Sequence, residues 1–107
     1  PEDQDSAARR IADSIFEGDE RPEGVDAAVK ARMIGRLHYV GSSSTTAPAI
    51  EASFVRALAI FERMLSARPY LFGARPSLAD FGLAGQFAEL LSDPTPGAIM
   101  KAQAPHV

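Results

Sequence analysis

Two neighbouring segments in the second half of the chain decide its fold: RPYLFG at residues 68–73 and PSLADF at residues 76–81. In the second segment, Ser77 and Asp80 have the spacing of a helix N-cap and the third residue of the helix. The Ser77 hydroxyl is expected to accept from the Asp80 N–H, and the Asp80 carboxylate from the Ser77 N–H. Pro76 and Phe81 occupy the two positions of a hydrophobic staple. Together these signals predict a helix that begins at Ser77.

Apolar side chains recur at helical spacing on both sides of this segment. Four further helices are predicted: one capped by Asp3 or Asp5 and ending before Gly18, one over Val25–Val40 with Gly41 at its C′ position, one over Pro48–Leu65, and a short one over Pro96–Gln103. No segment shows sustained alternation of apolar and polar residues. The sequence therefore predicts an all-α fold, a bundle of about five helices in a single domain over residues 1–107.

The helix that begins at Ser77 is apolar on nearly all sides, which predicts a place in the middle of the bundle. Gly82 and Gly85 are unfavourable inside a helix, so we expect a neighbouring helix to pack closely against them. Four phenylalanines are expected in the core: Phe54, Phe61, Phe81 and Phe87.

Composition excludes several classes of protein. The 107 residues contain no cysteine, so a disulfide framework, a Cys-ligated zinc site and a cysteine nucleophile are excluded. The net charge of −3 argues against nucleic acid as a partner, and no apolar run is long enough to span a bilayer. His38 and His106, the two histidines, lack metal-ligand spacing, so no metal is expected. We expect a cytoplasmic protein.

The segments at 68–73 and 76–81, with Gly85-Gln86-Phe87 and Asp93 to Pro96 beyond them, resemble the C-terminal helical domain of glutathione transferases of a bacterial branch. The resemblance is specific over residues 48–105 and weaker over residues 1–47. It implies that the thiol-activating residue belongs to an N-terminal thioredoxin-like domain, which this sequence does not contain. It also implies that the domain is truncated at both ends, and that no catalytic residue lies within it.

The resemblance gives candidate substrate-binding residues in the second predicted helix. Arg32, Arg36 and Tyr39 share one face there, with His38 pointing elsewhere. An arginine pair holds a carboxylate well, and a tyrosine hydroxyl stabilises a developing charge. The alternative interpretation, that this is a solvated, arginine-rich outer face without a binding role, remains open.

The sequence is compatible with three functions. The resemblance implies a domain that forms the wall of an electrophile pocket and part of a homodimer interface, in an enzyme whose glutathione thiolate attacks a small-molecule electrophile. Glutathione is then a co-substrate bound mostly by the other domain, and this chain alone is expected to be inactive. The alternatives are a non-catalytic protein-interaction module of the same fold and an unrelated free-standing helical bundle.

Overall fold

The computed structural model describes residues 3–17 and 20–107, and regular structure in these ranges is helical. The elements are α1 (Gln4–Phe16), α2 (Val25–Arg36), a 3-10 turn (Leu37–Val40), α3 (Ala47–Leu65), α4 (Leu78–Ser92) and α5 (Pro94–Gln103). Apart from one isolated bridge between Tyr70 and Gly73, the described residues contain no β-structure. The all-α prediction is confirmed. The structure divides into two compact units, Pro1–Pro48 and Ala49–Val107, and the prediction of a single domain stays a prediction.

The first unit is built on α1 and α2. Ala8 and Ala12 are buried, and their small side chains let the two helices approach. Arg21, in the connection between the helices, lies 3.2 Å from a carboxylate oxygen of Asp13 in α1 and 3.0 Å from one of Asp26 in α2. Apolar contact and charge therefore join the same two helices. The expected stop at Gly18 lies outside the described residues, and α1 ends before Glu17, which adopts the left-handed conformation.

The second predicted helix is shorter than expected, because its last turn tightens into the 3-10 turn. Gly41 follows with a φ of 73°, as its predicted C′ position requires. Its N–H donates to the His38 carbonyl at 3.1 Å, and the Ser42 N–H donates to the Leu37 carbonyl at 3.0 Å. These two bonds form a Schellman motif, so the helical segment ends where the sequence predicts.

The second unit has a small apolar core from α3, α5 and the residue after α5. Leu58, Met100 and Ala104 are buried at its centre. Around them pack five half-buried apolar side chains: Phe54, Phe87, Leu90, Ile99 and Val107. The rings of Phe61 and Phe87 meet edge to face, with centroids 5.4 Å apart. This core fixes α3, α4 and α5 in one unit.

The prediction that α4 is buried on all sides is wrong for the described residues. None of its residues is fully buried, and Leu78 and Phe81 at its start are 88% and 69% exposed. The expected core position of Phe81 and its staple are therefore not observed. No described atom beyond their own helix and chain neighbours lies within 4 Å of a Cβ built at Gly82 or Gly85, so the expected close helix approach at these glycines is wrong as well.

Close approach occurs instead at Gly97, in α5. A Cβ built there would lie 2.5 Å from the Leu91 carbonyl oxygen and 3.2 Å from the Leu91 carbonyl carbon. Asp93 is the single residue between α4 and α5 and caps both helices, so the chain turns sharply there. The α5 helix also starts two residues earlier than predicted, at Pro94, where a proline fits the first turn.

Candidate functional site

The three residues proposed from the sequence lie near the end of the first unit. Arg32 and Arg36 belong to α2 and Tyr39 to the 3-10 turn, and all three are exposed. Within the described residues, neither arginine makes a hydrogen bond or an ion pair. Their guanidinium groups are therefore available to an anionic ligand. Tyr39 and its neighbour Val40 are 77% and 78% exposed.

The histidine beside this face is not where the sequence predicts it. The rings of His38 and Tyr39 are in contact, with centroids 4.0 Å apart and planes tilted by 40°. The contact lies in the 3-10 turn that follows α2. The expectation that His38 points away from Tyr39 is therefore wrong.

An apolar groove of about 190 Å³ runs between α1 and α2 in the same unit. Its walls include Ile11, Met33, Ile34 and Leu37, and Lys30 stands at its edge. Successive helical residues turn by about 100°, so positions two residues after Lys30 and Ile34 face roughly the opposite side of α2. Those positions are occupied by the two arginines. The structure thus separates the basic face of α2, which carries Arg32 and Arg36, from the groove.

Lys30 is tied to α1 at the groove edge. Its Nζ lies 2.7 Å from Oδ1 of Asp5 and donates a hydrogen bond to it. This hydrogen bond holds the pKa of the Asp5 carboxyl below its ordinary value. Lys30 is therefore already engaged, unlike Arg32 and Arg36.

At the start of α4, the Asp80 carboxylate accepts several hydrogen bonds. Its Oδ2 accepts from the Ser77 N–H at 2.8 Å, as predicted, and from the Ser77 hydroxyl. Its Oδ1 accepts from the Leu71 N–H at 2.8 Å, a bond the sequence did not indicate. The Leu71 N–H, followed by the Ser77 hydroxyl, keeps the pKa of Asp80 below its ordinary value. Asp80 therefore fixes the 71–77 loop to the helix, which is a structural role.

A second carboxylate in this unit holds the end of the chain. Glu62 of α3 accepts from the His106 N–H at 2.9 Å and lies 2.6 Å from His106 Nδ1. The hydrogen bond from the imidazole lowers the pKa of Glu62. The two residues are 44 positions apart, and no local pattern connects them, so sequence reasoning missed the pair.

Residues 3–17 and 20–107 lack two further features, a cluster of metal ligands and a membrane-spanning helix. In these ranges no group of three or more His, Cys, Asp or Glu residues has the arrangement of a metal site. No helix there has both the length and the apolar character to cross a membrane.

Comparison with known proteins places the sequence in a family. Residues 7–107 match the family described as glutathione S-transferase, C-terminal domain. Searches of curated proteins and of solved structures gave no match. The matched region covers nearly the whole chain, and its all-α structure agrees with that description. The chain therefore belongs to the glutathione S-transferase C-terminal domain family.

Proposed function

We propose that the chain acts as the C-terminal domain of a glutathione transferase-like protein and forms one wall of the electrophile site. In the reaction proposed for the parent protein, the glutathione thiolate attacks an electrophilic carbon, a sulfur–carbon bond forms, and the leaving group departs with its bonding electrons. The group that activates the thiol belongs to a thioredoxin-like domain. The described residues of this chain contain no such fold.

The observation that carries this proposal is the family match over residues 7–107. The exposed face of α2 and the 3-10 turn supports it. Glutathione carries carboxylates, and the unpaired guanidinium groups of Arg32 and Arg36 offer paired N–H donors to them. In this assignment the Tyr39 hydroxyl donates to charge that develops on the electrophile. The exposed Val40 contacts its apolar part.

The proposal is tested by titrating the ¹⁵N-labelled chain with S-(2,4-dinitrophenyl)glutathione, the product of one such reaction, at millimolar concentration. We expect the amide signals of Arg32, Arg36, Tyr39 and Val40 to shift in a saturable way. We also expect the chain to show no turnover with glutathione and 1-chloro-2,4-dinitrobenzene, because the wall holds substrate without activating the thiol.

Two results contradict this assignment. Shifts confined to the groove residues Ile11, Met33 and Leu37 would place the ligand on the opposite side of α2. A measurable turnover by the chain would show that it carries its own thiol-activating group. Glutathione alone is the control ligand, and it is expected to give smaller shifts because it lacks the aromatic group.

A second candidate function is a non-catalytic module that binds another protein. The observation that favours it lies in the second unit, where Phe72, Leu78 and Phe81 are exposed around the start of α4. Exposed apolar clusters of this kind mark interaction surfaces. If the conjugate produces no shifts at any concentration, this function becomes the better account.

A homodimer interface and a cytoplasmic location remain part of the first proposal, that of a glutathione transferase-like parent protein.

A further inference from the structure

A second pocket lies within the second unit. The end of α3, the turn after it, α4 and residues 106–107 line an open depression of about 250 Å³. Its apolar walls include Leu65, Leu83, Phe87 and Val107. An apolar cavity of about 150 Å³ holds a benzene ring. The pocket therefore has room for a molecule with a single aromatic ring.

Three polar residues line the same pocket, and they differ in their availability. The Asp80 carboxylate is already engaged by Leu71 and Ser77. The Tyr70 hydroxyl makes no hydrogen bond to a described residue. His106 is bonded through its main-chain N–H and its Nδ1, which leaves Nε2 without a partner among the described residues. The Tyr70 hydroxyl and His106 Nε2 are thus the unengaged polar groups of these three lining residues.

The hydrogen bond to Glu62 determines which nitrogen of the His106 ring carries a hydrogen atom. An ionised carboxylate only accepts hydrogen bonds, so the hydrogen must lie on Nδ1. When the ring is neutral, the hydrogen on Nδ1 leaves Nε2 as an acceptor, because the partner of one ring nitrogen sets the role of the other. The second bond, from the His106 main-chain N–H to the same carboxylate, limits movement of the residue. The acceptor is therefore held in place before any ligand arrives.

Charge selects the class of ligand. Asp80 at the pocket wall and Glu62 behind His106 are both carboxylates, so an anionic ligand meets repulsion. We propose that this pocket binds a small neutral phenol, whose ring packs against Leu83 and Phe87 and whose hydroxyl donates to His106 Nε2. The Tyr70 hydroxyl donates in turn to the phenol oxygen. No residue of the proposed electrophile face takes part.

The test measures binding of phenol, toluene and benzoate to the whole chain by NMR titration. Toluene has the ring without the donor, and benzoate has the ring with a negative charge. We expect phenol to bind about threefold to tenfold more tightly than toluene, the range of one hydrogen bond, and benzoate not to bind. The ¹⁵N signal of His106 Nε2 should move with phenol, whereas the ring signals of His38 should not.

Variants separate the hydrogen bond from the shape of the pocket. His106→Phe keeps a ring and removes Nε2, so phenol affinity should fall to that of toluene while toluene affinity is unchanged. His38→Phe is the matched control and should leave both affinities unchanged. Equal wild-type affinities for phenol and toluene overturn the proposal, as does undiminished phenol binding by His106→Phe. If that variant loses both ligands, the wild-type chain decides: a His106 Nε2 signal that moves with phenol supports the site, and one that does not overturns it.

Discussion

Replacement of Gly97 by alanine tests the packing of α5 against the end of α4. The new Cβ would lie 2.5 Å from the Leu91 carbonyl oxygen, which is 0.5 Å closer than the 3.0 Å below which real Cβ contacts essentially never occur. The obstructing atoms belong to the main chain, so no side-chain rotation relieves the overlap. The start of α5 must move, and with it the packing of Met100 in the core.

The magnitude follows from a matched comparison with Gly85→Ala. Both substitutions replace a helical glycine, so the gain in helix propensity, about 1 kcal/mol, is common to both. No described atom outside the local helix lies within 4 Å of a Cβ at position 85, whereas the Cβ at position 97 overlaps Leu91. The difference in unfolding free energy between the two variants should therefore equal the overpacking term, about 1–3 kcal/mol.

Urea unfolding followed by far-UV circular dichroism measures this difference. We expect the Gly97→Ala midpoint to lie below the Gly85→Ala midpoint by about 0.3–3 M, for a slope of about 1–3 kcal/mol per molar urea. Equal midpoints, or a more stable Gly97→Ala variant, would refute the reasoning. A changed slope would show that the two variants differ in more than stability.

Three further predictions concern the carboxylates of the second unit. Asp80→Ala should lower the urea midpoint more than Ser77→Ala, because Asp80 accepts from Leu71 as well as from Ser77; a larger effect of the serine variant would contradict this. The pKa values of Asp80 and Glu62 are lowered in the folded protein, so the folded state binds fewer protons, and stability should be constant above about pH 5 and fall below about pH 4. A urea midpoint that rises as the pH is lowered would contradict this prediction. His106→Phe should weaken this acid dependence, since His106 is the first cause of the lowered pKa of Glu62, and an unchanged profile would argue against the pair.

The helices of the chain could be predicted because their signals are local. Pro48 near the start of α3, Ser77 before α4 and the left-handed Gly41 each act within a few residues, and the structure places each as predicted. The sequence correctly predicts the end of this helical segment before Gly41, but it does not predict that the last four residues form a 3-10 turn. An α-helix and a 3-10 turn differ by one residue in hydrogen-bond spacing, which the apolar pattern does not resolve.

The surroundings of each helix could not be predicted in the same way. The apolar surface of α4 indicates burial, but no sequence pattern says which element covers it, and Phe81 is exposed in this structure. Gly82 and Gly97 are both helical glycines. A Cβ at Gly97 would overlap the main chain of Leu91, whereas a Cβ at Gly82 would contact no described atom beyond its own helix and chain neighbours. Glu62 and His106 are 44 positions apart, and their hydrogen bond depends on the path of the chain between them, so no local rule finds it.

The basic face of α2 is tested most directly by isothermal titration of S-(2,4-dinitrophenyl)glutathione into the wild-type chain, Arg36→Gln and Arg56→Gln. Arg56 is an exposed arginine of α3 and serves as the control for loss of one positive charge. Arg36→Gln should weaken binding about threefold to tenfold, because it removes a charge-assisted hydrogen bond to a ligand carboxylate at an exposed site. Arg56→Gln should bind as the wild type does. Equal affinities of all three proteins would contradict the assignment of this face to the electrophile site.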